Sequence, residues 1–269
     1  MKLYLVSIAL LLGLVTNVNA GALDKKGKMF FYYGYNRADY SNGDYHITGN
    51  GNDFTLYNVK ATDVQTPIGA DPYLNPFAWS VPQNVMRLGY YITDNLSISF
   101  GNDHMKYKMV PNQTVAASGT TGPDVGVLPN HTYAPGETQT LTPDFLMFEH
   151  TDGLNYVSLE LEHYIPFWEN SKKSSALSFF WGPGLAVMYP KTNATFAGHP
   201  RNDEFHIAGS GYSIKTGLEW IFYDHFFTRL VTKFGFINMN DAYLTATHQE
   251  RLAHKFTFRE LYLNFGVNF

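Results

Sequence analysis

Apolar and polar residues alternate along most of the chain, and this two-residue period constrains the fold more than any other feature of the sequence. Successive side chains of a β-strand point to opposite faces, so such a period predicts strands with one apolar and one polar face. The last segment shows the pattern best, with one face made of Leu261, Leu263, Phe265, Val267 and Phe269. The sequence therefore predicts an all-β protein.

Seven further segments repeat this alternation. They cover residues 31–35, 86–92, 96–100, 157–165, 177–187, 212–222 and 226–236. Together with the last segment they give eight candidate strands. Apart from its first residues, the chain has no apolar run near the roughly 20 residues that a membrane helix needs.

Residues 1–20 are predicted to be a secretory signal peptide. Lys2 precedes an apolar run from Leu3 to Val15, and the segment ends with the small residue Ala20. A positive start, a short apolar core and a small residue before the cleavage site are typical of export signals. We expect cleavage after Ala20 and a single domain over residues 21–269. A membrane anchor is the alternative, although the apolar run is short for a span.

Alternation alone does not distinguish a soluble sandwich from a membrane barrel, because the apolar faces can point to a core or to lipid. The export signal favours the barrel. So do the aromatic residues near the strand ends, since aromatic girdles mark membrane interfaces. The polar faces mix glycine with charges of both signs, which suits a narrow lumen. We therefore predict a transmembrane, antiparallel, up-and-down β-barrel.

The lengths of the connections predict the topology of this barrel. Short turns are expected at 93–95, 167–174 and 223–225, and long connections at 39–83, 111–150, 191–207 and 240–254. Membrane barrels place short turns in the periplasm and long loops outside. Three short turns and four long loops fit eight strands.

Two segments within the long loops need their own interpretation. Residues 53–63 have strand character, and a span there would require a partner and give ten strands. The four prolines between residues 66 and 82 disfavour that partner, so 53–63 is interpreted as strand structure in an outer loop. Residues 111–143 are rich in Gly, Pro and Thr, and a mobile loop is expected.

Nine charged residues are predicted to face the lumen. An eight-stranded barrel has room inside only for side chains, so buried charges there should pair. We expect a salt-bridged plug, with a narrow gated path as the alternative. The residues are Arg87, Asp103, Glu160, Glu162, Lys215, Glu219, Arg229, Lys233 and Glu260.

Glu160 and Glu162 lie two residues apart, and therefore on one face of their strand. Such a carboxylate pair can share a proton. A nearby Arg87 or Lys233 would instead keep both carboxylates ionised.

The chain resembles the small bacterial outer-membrane β-barrels, the class that includes the OmpA transmembrane domain, OmpX and OmpW. The resemblance extends over residues 28–269, and its most specific motif is the segment from Leu261 to Phe269. In this class a terminal aromatic strand is the signal for the assembly machinery. The resemblance implies an outer-membrane location and, as partners, that machinery, outer-membrane lipids and lipopolysaccharide. It names no surface ligand, and no functional residue is carried over.

No catalytic, cofactor or metal site is predicted. The lipid A deacylase and palmitoyltransferase barrels of this class use His-x-Ser and Asp-Ser, and neither motif occurs in the chain. Without cysteine there is no thiolate chemistry, and the net charge of -4 argues against nucleic-acid binding. One loop holds several potential ligands at spacings that fit no compact metal site. They are His199, Asp203, Glu204 and His206.

The expected function is a non-enzymatic barrel with a closed lumen. Its large outer loops, 39–83 and 111–150, are rich in Tyr, Asn, Asp and Gly, a composition suited to surface recognition. The main alternative is a narrow pore or transporter for small solutes or apolar molecules. A lipid-modifying enzyme is a further alternative.

Overall fold

Fifteen strands and one short helix make up the computed structural model, which describes residues 21–75, 78, 81–126 and 128–269. The predicted signal peptide lies outside these residues. In chain order the elements are β1 (Met29–Tyr40), β2 (Gly43–Gly49), β3 (Asn52–Val59), β4 (Ala61–Thr62), α1 (Ala70–Tyr73), β5 (Asn84–Thr93), β6 (Leu96–Met109), β7 (Thr114–Thr120), β8 (Thr138–Thr140), β9 (Leu146–Glu169), β10 (Ser175–Met188), β11 (Lys191–Phe196), β12 (Asn202–Phe205), β13 (Gly209–Phe222), β14 (Phe226–Tyr243) and β15 (Arg251–Asn268).

Eight of these strands form a closed antiparallel ring. The order around it is β1, β5, β6, β9, β10, β13, β14 and β15, and β15 pairs with β1 to close it. Met29 and Phe269 exchange backbone hydrogen bonds of 2.7 and 2.8 Å at this seam. The predicted eight-stranded barrel is thereby confirmed, and the ten-stranded alternative is wrong, because residues 53–63 do not enter the ring.

The apolar face of each ring strand points outward, as predicted. On β15, Leu261 and Phe265 are 54% and 62% exposed, whereas Tyr262 and Asn264 between them are buried inside. Hydrocarbon side chains left outside a closed barrel require a lipid environment. The described part of the chain contains no helix that is long and apolar enough to span a membrane.

The predicted short turns lie together at one end of the ring, the end that membrane barrels place in the periplasm. The chain reverses between β5 and β6, between β9 and β10, and between β13 and β14. Tyr223 and Asp224 adopt positive φ angles of 52° and 64° in the reversal between β13 and β14.

At the opposite end, the long connections build an ordered outer lobe, defined here as β2–β4, β7, β8, β11 and β12. Strand β2 pairs with the outer end of β15, β3 pairs with β2, and β7 pairs with β3. The prediction of strand structure for residues 53–63 is therefore confirmed. Phe54 stacks on Phe196 and packs at a tilt against Phe145 within this lobe.

The expectation of a mobile loop at 111–143 is wrong. Thr114–Thr120 forms β7, which pairs with both β3 and β8. Val115 and Ala117 are buried, but the other residues of this strand are small or polar, so its sequence carries little hydrophobic alternation. Pairing with β3 therefore stabilises a strand that its own composition does not indicate.

Removing β7 and β8 should leave the barrel intact. Asn112 donates a 2.8 Å hydrogen bond to the carbonyl of Leu141, so a short Gly-Ser link can replace residues 113–141 with little strain. We expect this variant to refold into vesicles with the heat-dependent gel mobility of the full chain, since no ring pairing is removed. Failure to refold, with the full chain refolding in parallel, would show that the lobe is needed for barrel formation.

Candidate functional site

The lumen contains all nine of the predicted charged residues, and each is at most 2% exposed. Each of them lies at an inward position of a ring strand. Its neighbours along the strand face the lipid, because successive side chains of a strand point to opposite faces. The structure brings these residues together into two connected clusters and leaves Glu260 at their margin.

The central cluster surrounds Glu160. This carboxylate accepts contacts from three cations: Arg87 at 3.0 Å, Lys215 at 2.5 Å and Lys233 at 2.8 Å. Arg87 also binds Asp103 at 2.8 Å, and Lys233 contacts the other oxygen of Asp103. These ion pairs connect β5, β6, β9, β13 and β14 across the barrel.

Lys215 contacts Glu162 as well as Glu160, so both carboxylates of the predicted pair face cations. Glu162 also accepts hydrogen bonds from Ser97 at 2.7 Å and Tyr164 at 2.8 Å. This arrangement favours the alternative in which neighbouring cations hold the two carboxylates, rather than the one in which the carboxylates share a proton.

The periplasmic cluster is built around Glu219. Arg229 binds one oxygen of this carboxylate at 2.6 Å, and Lys25 binds the other at 2.5 Å. The Arg229 guanidinium also lies 4.4 Å from the centroid of the Phe227 ring and 4.8 Å from that of Phe30. The ring contacts add cation–π stabilisation to these polar contacts.

Lys25 is the charged residue of this site that the sequence analysis missed. It belongs to residues 21–28, which lie across the periplasmic mouth of the barrel before β1 begins. Asp94 fixes the segment by accepting hydrogen bonds from the N–H groups of Lys25 (2.9 Å) and Lys26 (2.8 Å). The segment shows no alternation of apolar and polar residues. The one signal in the sequence was the charge imbalance of the predicted lumen, with four cations against five carboxylates.

With Lys25, the charges of the described lumen balance, five against five. The carboxylate with the weakest pairing is Glu260, whose ion pair with Lys233 is 3.9 Å long. Neither of its oxygens accepts a hydrogen bond from the described residues. The same holds for the buried hydroxyls of Tyr32 and Tyr262.

An aromatic layer closes the lumen on the outer side. Tyr45 of the lobe and Tyr107 of β6 share a 2.8 Å hydrogen bond between their hydroxyls. Tyr107 lies 4.9 Å from Phe256, ring centre to ring centre, and Tyr45 lies 5.4 Å from Phe148. All four side chains are at most 2% exposed, so this layer separates the charges from the outside.

The outer-loop residues with metal-binding potential do not converge. Each of them pairs with a different group: His199 with Glu250, Asp203 with Lys191, Glu204 with His248, and His206 with Asp241. Within the described residues, no group of three or more His, Asp or Glu side chains is placed to hold a metal ion.

No family model matches the chain, and no curated protein matches it. Among solved structures, the chain is similar to the outer membrane protein OprG from Pseudomonas aeruginosa, with 10% identity and a TM-score of 0.44 over 93% of this chain and 99% of that chain. For Neisserial surface protein A the identity is 9% and the TM-score 0.41, over 90% of this chain and 97% of that chain. For Ail, the attachment invasion locus protein of Yersinia pestis, the identity is 9% and the TM-score 0.35, over 91% of this chain and 99% of that chain.

The closed eight-stranded ring, its apolar exterior and its charged interior define the class of this protein. It is a small transmembrane β-barrel, of the kind that bacterial outer membranes contain.

Replacing Lys25 should loosen the periplasmic mouth. In Lys25→Ala the buried Glu219 loses one of its two cationic partners, a change worth about 1–3 kcal/mol for a buried group. We expect residues 21–27 to exchange their amide hydrogens about tenfold faster or more, since local opening depends on that free energy. Lys26→Ala, at the adjacent exposed position, is the matched control. Equal exchange in both variants would contradict a structural role for Lys25.

Proposed function

We propose that this protein is a non-conducting outer-membrane barrel whose outer lobe contacts ligands at the cell surface. The observation that carries the proposal is the closed lumen. Interlocked ion pairs fill its centre, residues 21–28 cover its periplasmic mouth, and the aromatic layer covers its outer end.

Opening an ion path would require several buried pairs to separate. Removing one partner from a buried ion pair typically costs about 3–5 kcal/mol. Glu160 faces three cations at once, so displacing its carboxylate affects Arg87, Lys215 and Lys233 together. This coupling argues against the gated path as the resting state.

The outer lobe offers a polar, ordered surface. Tyr57 is 40% exposed and donates or accepts a 2.8 Å hydrogen bond with Ser118, which fixes its ring on the face of β3. The N–H of Ala134 and the ring of His131 hold the pKa of Glu137 below its usual range. Within the described residues β8 pairs only with β7, so its other edge is free to pair with an extended chain. Rigid polar loops on a stable scaffold are suited to recognition.

Lipopolysaccharide, other outer-membrane lipids and the assembly machinery are the partners that we propose from the class of the protein. Catalysis is not part of the proposal. Asp103 is buried in the lumen, whereas its neighbour His104 points to the outer face and binds Asn155 at 2.9 Å. The two side chains therefore do not form an acid–base pair.

Single-channel recording of refolded residues 21–269 in a planar bilayer tests the closed lumen. We expect no steady openings, because the lumen charges are paired and both mouths are covered. Folding is verified by heat-dependent gel mobility, and Glu160→Gln is recorded in parallel. Reproducible openings that change in Glu160→Gln would overturn the proposal and establish a pore through the charged lumen.

A second candidate function, uptake of small apolar molecules from the membrane, is favoured by one observation. The regular pairing of β10 with β9 is interrupted between Trp181 and Gly184. Pro183 lies in this interval and has no N–H to donate. A depression of about 480 Å³ opens there on the lipid-facing wall, and its lining includes the lumen residue Glu160 beside Leu159 and Leu185.

Apolar probe binding distinguishes this second function. If the depression takes apolar molecules, a fluorescent fatty acid analogue should bind the refolded barrel and bind severalfold more weakly to Leu185→Asn. Leu230→Asn, on β14 outside the lining of the depression, is the control for a general loss of apolar surface. Equal binding to both variants would reject a site at Pro183.

A further inference from the structure

The lipid-facing belt of the barrel has an uneven height. On β10 and the residue after it, the outward apolar side chains run from Leu177 to Tyr189, which corresponds to about 30 Å along the barrel axis for tilted strands. On β1 they run only from Met29 to Tyr35, or about 15 Å. Outer-membrane barrels present a band of about 25 Å to lipid. The belt formed by the strands is therefore too short on the β1 side.

The outward apolar surface is also short on β6, the second neighbour of β1 in the ring. Its outward positions change from apolar to polar after Phe100, with Asn102, His104 and Lys106 following. Asn102 and His104 both bond to Asn155, which reduces their exposed polarity. Along the strand pairing Asn102 is level with Val157 of β9 and Val187 of β10, so β6 is polar where β10 is still apolar.

A segment of the first outer loop, residues 64–75, packs against the outside of the wall at this low side. Tyr35 donates a 2.6 Å hydrogen bond to the carbonyl of Tyr73, and the two rings lie 4.9 Å apart. Arg37 donates to the Tyr73 hydroxyl at 3.1 Å. Lys106 donates to the hydroxyl of Thr66 at 3.1 Å, so the segment spans from β1 to β6 and covers their polar outward groups.

The apolar side chains of this segment point away from the barrel. Ile68 is 89% exposed and Leu74 is 81% exposed, the highest values among the large hydrophobic residues in the described part of the chain. Two fully exposed aliphatic side chains on a segment fixed beside a lipid-facing belt are unfavourable in water. They continue the belt above Tyr35, where the strands themselves become polar.

We propose that residues 64–75 are a membrane anchor that inserts Ile68 and Leu74 into the outer leaflet and completes the belt over β1, β5 and β6. The occupant of this surface is lipid, because the surface is continuous with the lipid-facing belt. The part-buried hydrogen bonds to Tyr73 and Thr66 hold the segment on the wall and leave Ile68 and Leu74 facing the membrane. The exposed carboxylate of Asp71 accepts a hydrogen bond from Asn75 and would lie at the headgroup level. The inference rests on the membrane placement of the barrel and is independent of the recognition role proposed above.

Site-directed spin labelling tests the anchor in the whole barrel, since the chain has no cysteine. Ile68→Cys and Leu74→Cys are labelled with a nitroxide and refolded into dioleoylphosphatidylcholine vesicles. Molecular oxygen concentrates in hydrocarbon, whereas a nickel chelate stays in water. We expect the oxygen-to-nickel accessibility ratio at both positions to approach that of Leu185→Cys in the belt. It should exceed severalfold the ratio of Thr138→Cys on β8 of the lobe.

Ratios equal to those of Thr138→Cys would overturn the anchor. Dipolar broadening of the Ile68→Cys or Leu74→Cys spectrum at low protein-to-lipid ratio would overturn it as well, by showing a second copy on this surface. Gel mobility verifies the fold of every variant. The exposed neighbours Pro67 and Gly69 provide substitute labelling positions if either variant fails to refold.

Discussion

Pairing of charges inside a space too narrow for bulk water is the constraint on which the rest of this structure depends. Five cations and five carboxylates lie within the described lumen, and each cation is within 4 Å of a carboxylate. An unpaired ion there would be costly. The strand registers must therefore place Glu160 of β9 opposite the cations of β5, β13 and β14. A slip of one residue in any of these strands would move its charge to the lipid face.

Both faces of the ring strands require this register. The outward face is stable only in lipid, and the inward face is stable only when its charges form ion pairs. Trp181 and Trp220, for example, are each more than 40% exposed on the outside, while Lys215 on the neighbouring inward face is buried between two carboxylates. The same alternation thus specifies membrane insertion and lumen closure together.

The ring and its inward charges could be predicted because both follow from a period of two. Lys25 could not be placed in the same way, because it lies before β1 in a segment without alternation, and only the missing positive charge pointed to it. Strand β7 was missed because Ala116, Ala117 and Ser118 have small side chains that show no apolar face. The packing of residues 64–75 on the wall depends on the contact between Tyr35 and Tyr73, residues from separate parts of the chain that no local pattern relates.

The contacts of Lys25 join two distant parts of the ring. Its side chain binds Glu219 of β13, while its backbone binds Asp94 in the turn between β5 and β6. These two partners are on strands separated by β9 and β10 in the ring, so they reach their final separation only when the intervening pairings exist. Residues 21–28 can therefore hold both contacts together only in a ring in which β6, β9, β10 and β13 are paired. The simultaneous contacts of Lys25 thus depend on a correctly assembled ring.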